Sequence, residues 1–205
     1  MSHSEKKLYF LLVSVHGLIR GHDLELGRDA DTGGQTLYVV ELARALGERD
    51  DVERVDLVTR RVVDPDVSED YAQAVETLSD KVRIVRVDAG PEAYIPKEQL
   101  WDHLDSFVDN LAEWVREQPR VPDVVHSQLV HTHLSYAALT EAREAGAAVV
   151  FTAHDSMTYC YQKLDCFHGG AQHGWGLEDY RAYWQKCIPC QRLRYRPGRN
   201  AAIRK

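Results

Sequence analysis

Short apolar segments alternate with amphipathic segments over residues 7–154. "LYFLLVSV" and "VRIVRV" have the length of buried strands and no helical stripe, whereas Leu37, Val40 and Leu46 recur near helical spacing. The pattern predicts strands at residues 7–15, 54–59, 82–87, 122–127 and 147–154. It predicts helices at residues 34–48, 97–118 and 133–145.

Strands that alternate with helices at this spacing are joined by right-handed crossovers and form a parallel sheet. We therefore expect an α/β fold, a Rossmann-like parallel sheet with helices on both faces, over residues 1–155. An irregular Cys-containing C-terminal segment with a basic tail, residues 156–205, follows it. Because ligands of such sheets bind beyond the carboxyl ends of the strands, the loops starting at His16, Gly90, His126 and His154 are predicted to meet at one edge.

The charge is distributed unevenly. Residues 181–205 carry eight Lys or Arg and no acid, so the rest of the chain holds 17 bases against 32 acids. The basic tail fits an anionic partner or a solvated terminal segment, and the acidic body disfavours nucleic acid as a partner. No stretch reaches roughly 18 consecutive apolar residues, and the N-terminus has no signal-peptide cleavage pattern, so we expect no membrane span and a cytoplasmic location.

All four cysteines lie near the C-terminus, at Cys160, Cys166, Cys187 and Cys190. A C-x2-C pair can hold tetrahedral zinc, and the first pair would complete a set of four thiolates. The cluster therefore predicts either a structural zinc site or four free thiols. A disulfide is disfavoured in a reducing cytoplasm.

Two adjacent glycines, Gly33 and Gly34, stand between the first predicted strand and the first predicted helix. Glycines at a helix N-terminus let the backbone and its free amides approach an anionic or polyhydroxylated ligand. A tight strand-to-helix connection would explain them equally well. Gln35 follows them, where a Walker loop would carry Lys, and the spacing is not the dinucleotide fingerprint.

The longer segment "HGLIRGHDLELGRDADTGGQTLYVVELARALG" resembles the opening of sucrose-phosphate synthases and sucrose synthases. These are retaining nucleotide-sugar glycosyltransferases, or hexosyltransferases, of the GT-B fold. "AYIPKEQLWDHLDSFVDN" is similar to a second segment of sucrose-phosphate synthases, and "PDVVHS" followed by "FTAHDS" is similar to later strand ends of the same domain.

The resemblance implies that Gly33, Gly34 and Gln35 lie against the sugar acceptor and the phosphates of the donor. It also implies that Lys97 binds the acceptor phosphate, because it stands in "YIPKE", where the family has its phosphate-binding lysine. An ammonium group suits this role as a point charge.

Two histidines and one arginine complete the predicted site. His154 matches a family histidine near the reacting sugars, so the resemblance implies a catalytic role. His126 is predicted to bind substrate because, like His154, it ends a predicted strand at the ligand edge; a structural imidazole is the alternative for both. Arg28 either binds substrate or pairs with neighbouring carboxylates such as Asp29 and Asp31.

The resemblance implies the acceptor-side half of a glycosyltransferase that uses a UDP-sugar or another nucleotide-sugar as co-substrate and no organic cofactor. Its partners would be a sugar or sugar-phosphate acceptor and a donor-binding GT-B C-terminal domain, in cis or in trans, without which it would be inactive. The segment "DSMTYCYQKLDCFHGG" departs from the family pattern, which bears on whether the acceptor is fructose 6-phosphate. The alternatives are a stand-alone module that binds a sugar phosphate or nucleotide, and a zinc-stabilised interaction protein with a basic tail.

Overall fold

A six-stranded sheet forms the centre of the part of the chain that the computed structural model describes, which is residues 6–15, 18–28, 32–128 and 134–152. The strands are β1 Leu8–Val13, β2 Val52–Arg60, β3 Val75–Thr77, β4 Val82–Val87, β5 Val124–Ser127 and β6 Ala148–Phe151. The α-helices are α1 Gly34–Gly47, α2 Leu104–Arg116 and α3 Leu134–Glu144. Two 3-10 helices span Glu69–Ala72 and Lys97–His103. All these elements belong to one unit, Met1–His154.

The strand order is β3-β4-β2-β1-β5-β6, and every neighbouring pair is parallel except β3 with β4. The predicted Rossmann-like parallel sheet is therefore confirmed. The antiparallel edge strand β3 was not predicted. It has only three residues, none of them buried, so it shows no apolar pattern from which a strand could be inferred.

Helices cover both faces of the sheet, as predicted. On one face, α1 packs Val39, Val40 and Ala43 against Leu12 and neighbouring residues of β2 and β4. On the other face, α2 and α3 pack against the alternate residues of β1, such as Leu11, and of the strands beside it. This alternation follows from the two-residue period of a strand, which sends successive side chains to opposite faces.

The prediction of one helix over residues 97–118 was wrong in its boundaries. The segment divides into the 3-10 helix Lys97–His103 and α2, which ends at Arg116. His103 has a non-helical backbone conformation (φ −120°, ψ 3°). A Cβ atom on Gly90 would overlap the ring of His103, so the bend between the two helices brings this ring against the loop that follows β4.

A buried polar network lies in the first half of β1, β2 and β4. Asp56 is fully buried and accepts a hydrogen bond of 2.6 Å from the Tyr9 hydroxyl. Arg54 and Arg83 each lie 2.6 Å from its carboxylate, and both donate to the Gln118 side chain just beyond α2. Burial, and then the Asp56 carboxylate, raise the pKa of the Tyr9 phenol. This network joins three strands and the end of α2.

A second polar group fastens the loop before β5 to β1. Asp123 accepts hydrogen bonds from Lys6 at 2.6 Å, Arg120 at 2.6 Å and the backbone N–H of Tyr9 at 2.8 Å. Burial alone would raise the pKa of Asp123, but these three donors hold it at about 2. Asp123 is therefore a carboxylate that the fold keeps ionised.

Candidate functional site

The parallel strands all end at one edge of the sheet, which we name the carboxyl edge. Strands β2 and β4 lie on one side of β1, and β5 and β6 lie on the other, so the strand order reverses between β1 and β5. The backbone N–H of Gln128, which follows β5, donates to the carbonyl of Val13 at the end of β1. In open α/β sheets, the crevice outside such a switch point is where ligands bind.

The predicted glycine turn lies at this edge, because α1 follows β1. Gly33 is the N-cap residue and supplies no side chain to cap the helix. A Cβ atom added to Gly33 or Gly34 meets no atom of the described residues within 4 Å, and neither residue has a positive φ. Neither packing nor backbone strain among the described residues therefore requires glycine here, which leaves close approach of a ligand as a reason for it.

The first turn of α1 is held from within. Thr36 donates through its hydroxyl (2.8 Å) and its backbone N–H (3.1 Å) to the carbonyl of Gly33. Thr36 is buried, so these two hydrogen bonds are shielded from solvent. The helix N-terminus thus presents its amide groups and the positive end of its dipole at Gly33 and Gly34.

Three buried polar atoms of the carboxyl edge have no hydrogen-bond partner within the described part of the chain: Ser14 Oγ, Thr59 Oγ1 and Gln35 Nε2. Ser14 follows β1, and its backbone N–H donates to Val58, so it lies beside the end of β2, where Thr59 stands. Gln35 is in the first turn of α1. A buried polar atom without a partner costs about 1–3 kcal/mol, so a ligand that pairs with these atoms would recover that energy.

The loop between β1 and α1 is fastened to the face that α1 covers. The Gly21 backbone N–H donates to Glu76 (2.7 Å), and its carbonyl accepts from Arg44 of α1 (2.7 Å). Arg86 is buried, pairs with Glu76 and donates to the carbonyl of Ile19 at 2.9 Å. The described part of the loop that leads to the glycine turn is therefore held by contacts within the chain itself.

Arg28 lies in the same loop and pairs with Glu25 at 3.2 Å. It also donates to the backbone carbonyl of Asp66, and Tyr71 donates to the same Glu25 at 2.9 Å. Of the two predicted roles, the ion pair is observed, although with Glu25. Asp29 and Asp31 lie outside the described residues.

His126 is the third of the four residues of β5, so it lies near the end of a strand, where it was predicted. Its Nε2 atom lies 2.7 Å from the hydroxyl of Thr152, just beyond β6. The half-buried imidazole thus has a structural partner that connects two strand ends. Its predicted role in substrate binding stays a prediction.

Lys97 begins the 3-10 helix Lys97–His103, directly after Pro96. Its backbone follows the loop that leaves β4 at Val87, so Lys97 belongs to the segments that follow the carboxyl edge. This position is compatible with the predicted contact to an acceptor phosphate.

Comparisons with known proteins identify the family of the chain. A model of the family described as Glycosyltransferase Family 4 matches residues 32–192. The chain belongs to this glycosyltransferase family. It is 42% identical over 177 residues to probable sucrose-phosphate synthase 4 of Oryza sativa subsp. japonica, an alignment that covers 74% of this chain and 17% of the rice protein. It is 43% identical over 176 residues to probable sucrose-phosphate synthase 2 of Arabidopsis thaliana, covering 74% of this chain and 17% of that protein.

The fold comparison gives the same result. The solved sucrose-phosphate synthase of Thermosynechococcus elongatus matches with a TM-score of 0.57 and 25% sequence identity, over 89% of this chain and 40% of that chain. The predicted resemblance to sucrose-phosphate synthases and the Rossmann-like fold are thus confirmed. The present chain nevertheless spans only about a sixth of the length of the curated relatives that it matches.

Several predicted site residues lie outside the part of the chain that the structure describes: His154, Cys160, Cys166, Cys187 and Cys190. The catalytic role of His154, the zinc site and the domain boundary at residue 155 therefore stay predictions. Within residues 6–15, 18–28, 32–128 and 134–152, no group of three or more His, Cys, Asp or Glu could hold a metal ion. In the same ranges no helix is long and apolar enough to cross a membrane.

Sequence reasoning missed Ser14 and Thr59. Ser14 lies within the apolar run "LLVSV" and Thr59 within "DLVTR", where each looks like a small polar residue tolerated in a buried strand. A polar residue at the carboxyl end of each of two predicted parallel strands was the available signal.

Proposed function

We propose that this chain is the acceptor-side domain of a nucleotide-sugar-dependent glycosyltransferase of the sucrose-phosphate synthase type. The observation that carries the proposal is the open glycine turn of Gly33 and Gly34 at the N-terminus of α1, beside the reversal in strand order. Membership of glycosyltransferase family 4 and about 42% identity to sucrose-phosphate synthases support it.

The proposed reaction transfers a hexose from a UDP-sugar to a hydroxyl group of a sugar phosphate. The acceptor oxygen forms a bond to the anomeric carbon, the bond from that carbon to the diphosphate breaks, UDP leaves, and the hydroxyl proton is released. Catalysis requires an acceptor held against the anomeric carbon and positive charge near the leaving diphosphate. In this proposal the chain supplies mainly the first of these.

Each site residue has a role in the proposal. The amides of the glycine turn and the side chain of Gln35 bind the acceptor and the donor phosphates. Lys97 neutralises the acceptor phosphate, with fructose 6-phosphate as the first acceptor to test. His154 stands beside the reacting sugars. The donor-binding domain is supplied in cis or in trans, and we expect the chain alone to bind ligands without turning over, in the cytoplasm.

Ligand binding by the intact chain tests this proposal. Saturation-transfer NMR would compare fructose 6-phosphate, fructose, UDP and UDP-glucose with the wild type, Lys97→Ala and Gly34→Val. Lys81→Ala is the matched control, because Lys81 is an exposed lysine that donates to the backbone carbonyl of Arg49, far from the carboxyl edge. We expect fructose 6-phosphate to bind the wild type and Lys81→Ala, and to lose its signal in Lys97→Ala.

A second measurement separates an enzyme half from a stand-alone binding module. The donor-binding domain of a related sucrose-phosphate synthase would be added in trans, and formation of sucrose phosphate followed by mass spectrometry. Product formation supports the glycosyltransferase. Tight ligand binding without product favours the binding module, and the absence of binding by every sugar phosphate and nucleotide argues against both.

A further inference from the structure

Arg60 is the last residue of β2 and is buried, with 5% of its surface exposed. Its Nε donates to the carbonyl of Ala89 at 2.8 Å. One of its terminal nitrogens donates to the carbonyl of Ala93 at 2.8 Å and to that of Pro91. All three acceptors belong to residues 88–96, the segment that leads from β4 to the 3-10 helix that begins at Lys97.

The hydrogen-bond acceptors of the Arg60 guanidinium within the described residues are all neutral carbonyls, and the Asp88 carboxylate acts on its charge only through space. Among the described residues no carboxylate forms an ion pair with it; the neighbouring Asp88 pairs with Arg61 at 2.7 Å instead. Burial lowers the pKa of Arg60 from its usual value, but a guanidinium stays protonated in proteins. Burying a cation costs free energy unless its N–H donors are satisfied. An apolar side chain at this position would therefore stabilise the fold more if packing were the only requirement.

Two further hydrogen bonds connect residues 88–96 to the residues that follow β2. The N–H of Val63 donates to the carbonyl of Glu92 at 2.8 Å, and the N–H of Tyr94 donates to the carboxylate of Asp64 at 2.9 Å. These bonds hold the middle of the segment. Arg60 differs from them because one rigid, planar group reaches three carbonyls at once and thereby fixes their relative positions.

We propose that Arg60 is a positioning residue for the acceptor-phosphate site: it holds residues 89–93 so that Lys97 is presented at the carboxyl edge. The inference rests on the proposed function, because it assigns Lys97 to the phosphate. Arg60 itself does not touch the ligand. Its effect on binding therefore passes through Lys97 and is limited to ligands that carry a phosphate.

A thermodynamic cycle tests this coupling. Isothermal titration calorimetry would measure fructose 6-phosphate and fructose with wild type, Arg60→Met, Lys97→Ala and the double variant. We expect Arg60→Met and Lys97→Ala each to weaken fructose 6-phosphate binding about tenfold, the loss of one charge-assisted hydrogen bond. The double variant should be no weaker than Lys97→Ala, and fructose binding should not change. Arg60→Lys, which keeps the charge but not the planar fork, should fall between wild type and Arg60→Met.

Hydrogen–deuterium exchange tests the positioning without any ligand. Backbone amides of residues 89–97 should exchange faster in Arg60→Met than in the wild type. Arg83→Met is the matched control, because Arg83 is a half-buried arginine whose partners Asp56 and Gln118 belong to the other polar network. It should destabilise the fold while leaving exchange at residues 89–97 no faster than global unfolding requires.

The failures of the two proposals can be told apart. If wild type does not bind fructose 6-phosphate, or if Lys97→Ala binds it normally, the proposed function fails, and with it the role of Arg60 at a phosphate site. If Lys97→Ala weakens binding but Arg60→Met does not, or if the two losses multiply in the double variant, only the role of Arg60 is overturned. Unchanged exchange at residues 89–97 in Arg60→Met overturns it as well.

Discussion

Gln35→Met is expected to make the unliganded chain more stable and its ligand binding weaker. The Nε2 atom of Gln35 is buried and has no partner among the described residues. Leaving such a group unpaired costs about 1–3 kcal/mol, whereas a side chain of similar shape without the polar group avoids this cost. Met has about the same volume and helix propensity as Gln, so α1 should be unaffected.

The magnitude follows from the burial. Gln35 is only half-buried as a whole, so we take the lower part of that range, a gain of about 1 kcal/mol in the free energy of unfolding. For a domain of this size that corresponds to a rise of about 2–4 °C in the melting temperature. If the ligand accepts a hydrogen bond from Nε2, its affinity should fall about fivefold to tenfold. Thermal denaturation without ligand and calorimetric titration with UDP-glucose and fructose 6-phosphate measure the two effects.

The same substitution at Gln118 is the matched control. Gln118 accepts hydrogen bonds from Arg54 (2.6 Å) and Arg83 (3.3 Å) and donates to the carbonyl of Trp114 (2.8 Å). Gln118→Met therefore leaves charged donors with fewer partners and should lower stability by about 1–3 kcal/mol without a direct effect on ligand affinity. A lower melting temperature for both variants would refute the reasoning, because it would mean that the fold itself uses the Gln35 amide.

Three further perturbations have expected outcomes of different kinds. Gly34→Val should leave the melting temperature within about 4 °C of wild type, because its Cβ meets no described atom, yet weaken sugar-nucleotide binding at least tenfold; unchanged affinity would make the turn purely structural. Gly90→Ala should destabilise the chain by about 1–3 kcal/mol in urea denaturation, because Gly90 has φ +66° and its Cβ would overlap His103; a neutral effect would contradict this backbone argument. Asp123, with its pKa lowered to about 2 against about 3.9 unfolded, contributes stability above pH 5 that is lost as the pH falls toward 2. Wild type should therefore exceed Asp123→Asn by about 1 kcal/mol at pH 7, after allowance for solvent screening, and by nearly nothing at pH 2; a gap independent of pH would show that the ionised carboxylate is not the cause.

Strand-length apolar runs and helical spacing were sufficient to predict the five parallel strands, but not the short edge strand β3, which has no such run. The helix that became α1 was also predicted, and its buried stripe in part: Val40 is buried and Leu46 packs against the core, as expected. Leu37 was assigned to the apolar face, yet it is 40% exposed, whereas Thr36 and Val39 are buried. Apolar residues occur on more than one side of this helix, so its orientation depends on contacts with the sheet that the helix sequence does not contain.

The candidate site was predicted only in the part that rests on local chain geometry. A glycine pair between a strand and a helix is visible in the sequence, because both elements adjoin it. Ser14 and Thr59 become neighbours only through the β1–β2 pairing, which places Val13 beside Val58. The role of Arg60 could not be predicted from the sequence near it. Its partners lie 29 to 33 residues later, and they are backbone carbonyls, which every residue type has.

The two ends of the sheet differ in which buried polar groups the chain satisfies: near the start of the strands Arg54 Nε has no partner among the described residues, but the carboxylate at the centre of that network is fully bonded. Near the start of the strands the Asp56 carboxylate is bonded to Tyr9, Arg54 and Arg83, so the charged group is satisfied by the chain itself. At the carboxyl edge the hydroxyl of Ser14 and the amide nitrogen of Gln35 are buried without a partner among the described residues. A fold selected for stability alone would not keep such atoms, since apolar residues of similar size would stabilise it more. Gln35 lies in the first turn of α1, and Ser14 follows β1 at the same edge; a ligand that supplies the missing partners would explain both, and removing the unpaired atoms should then raise stability as it lowers affinity.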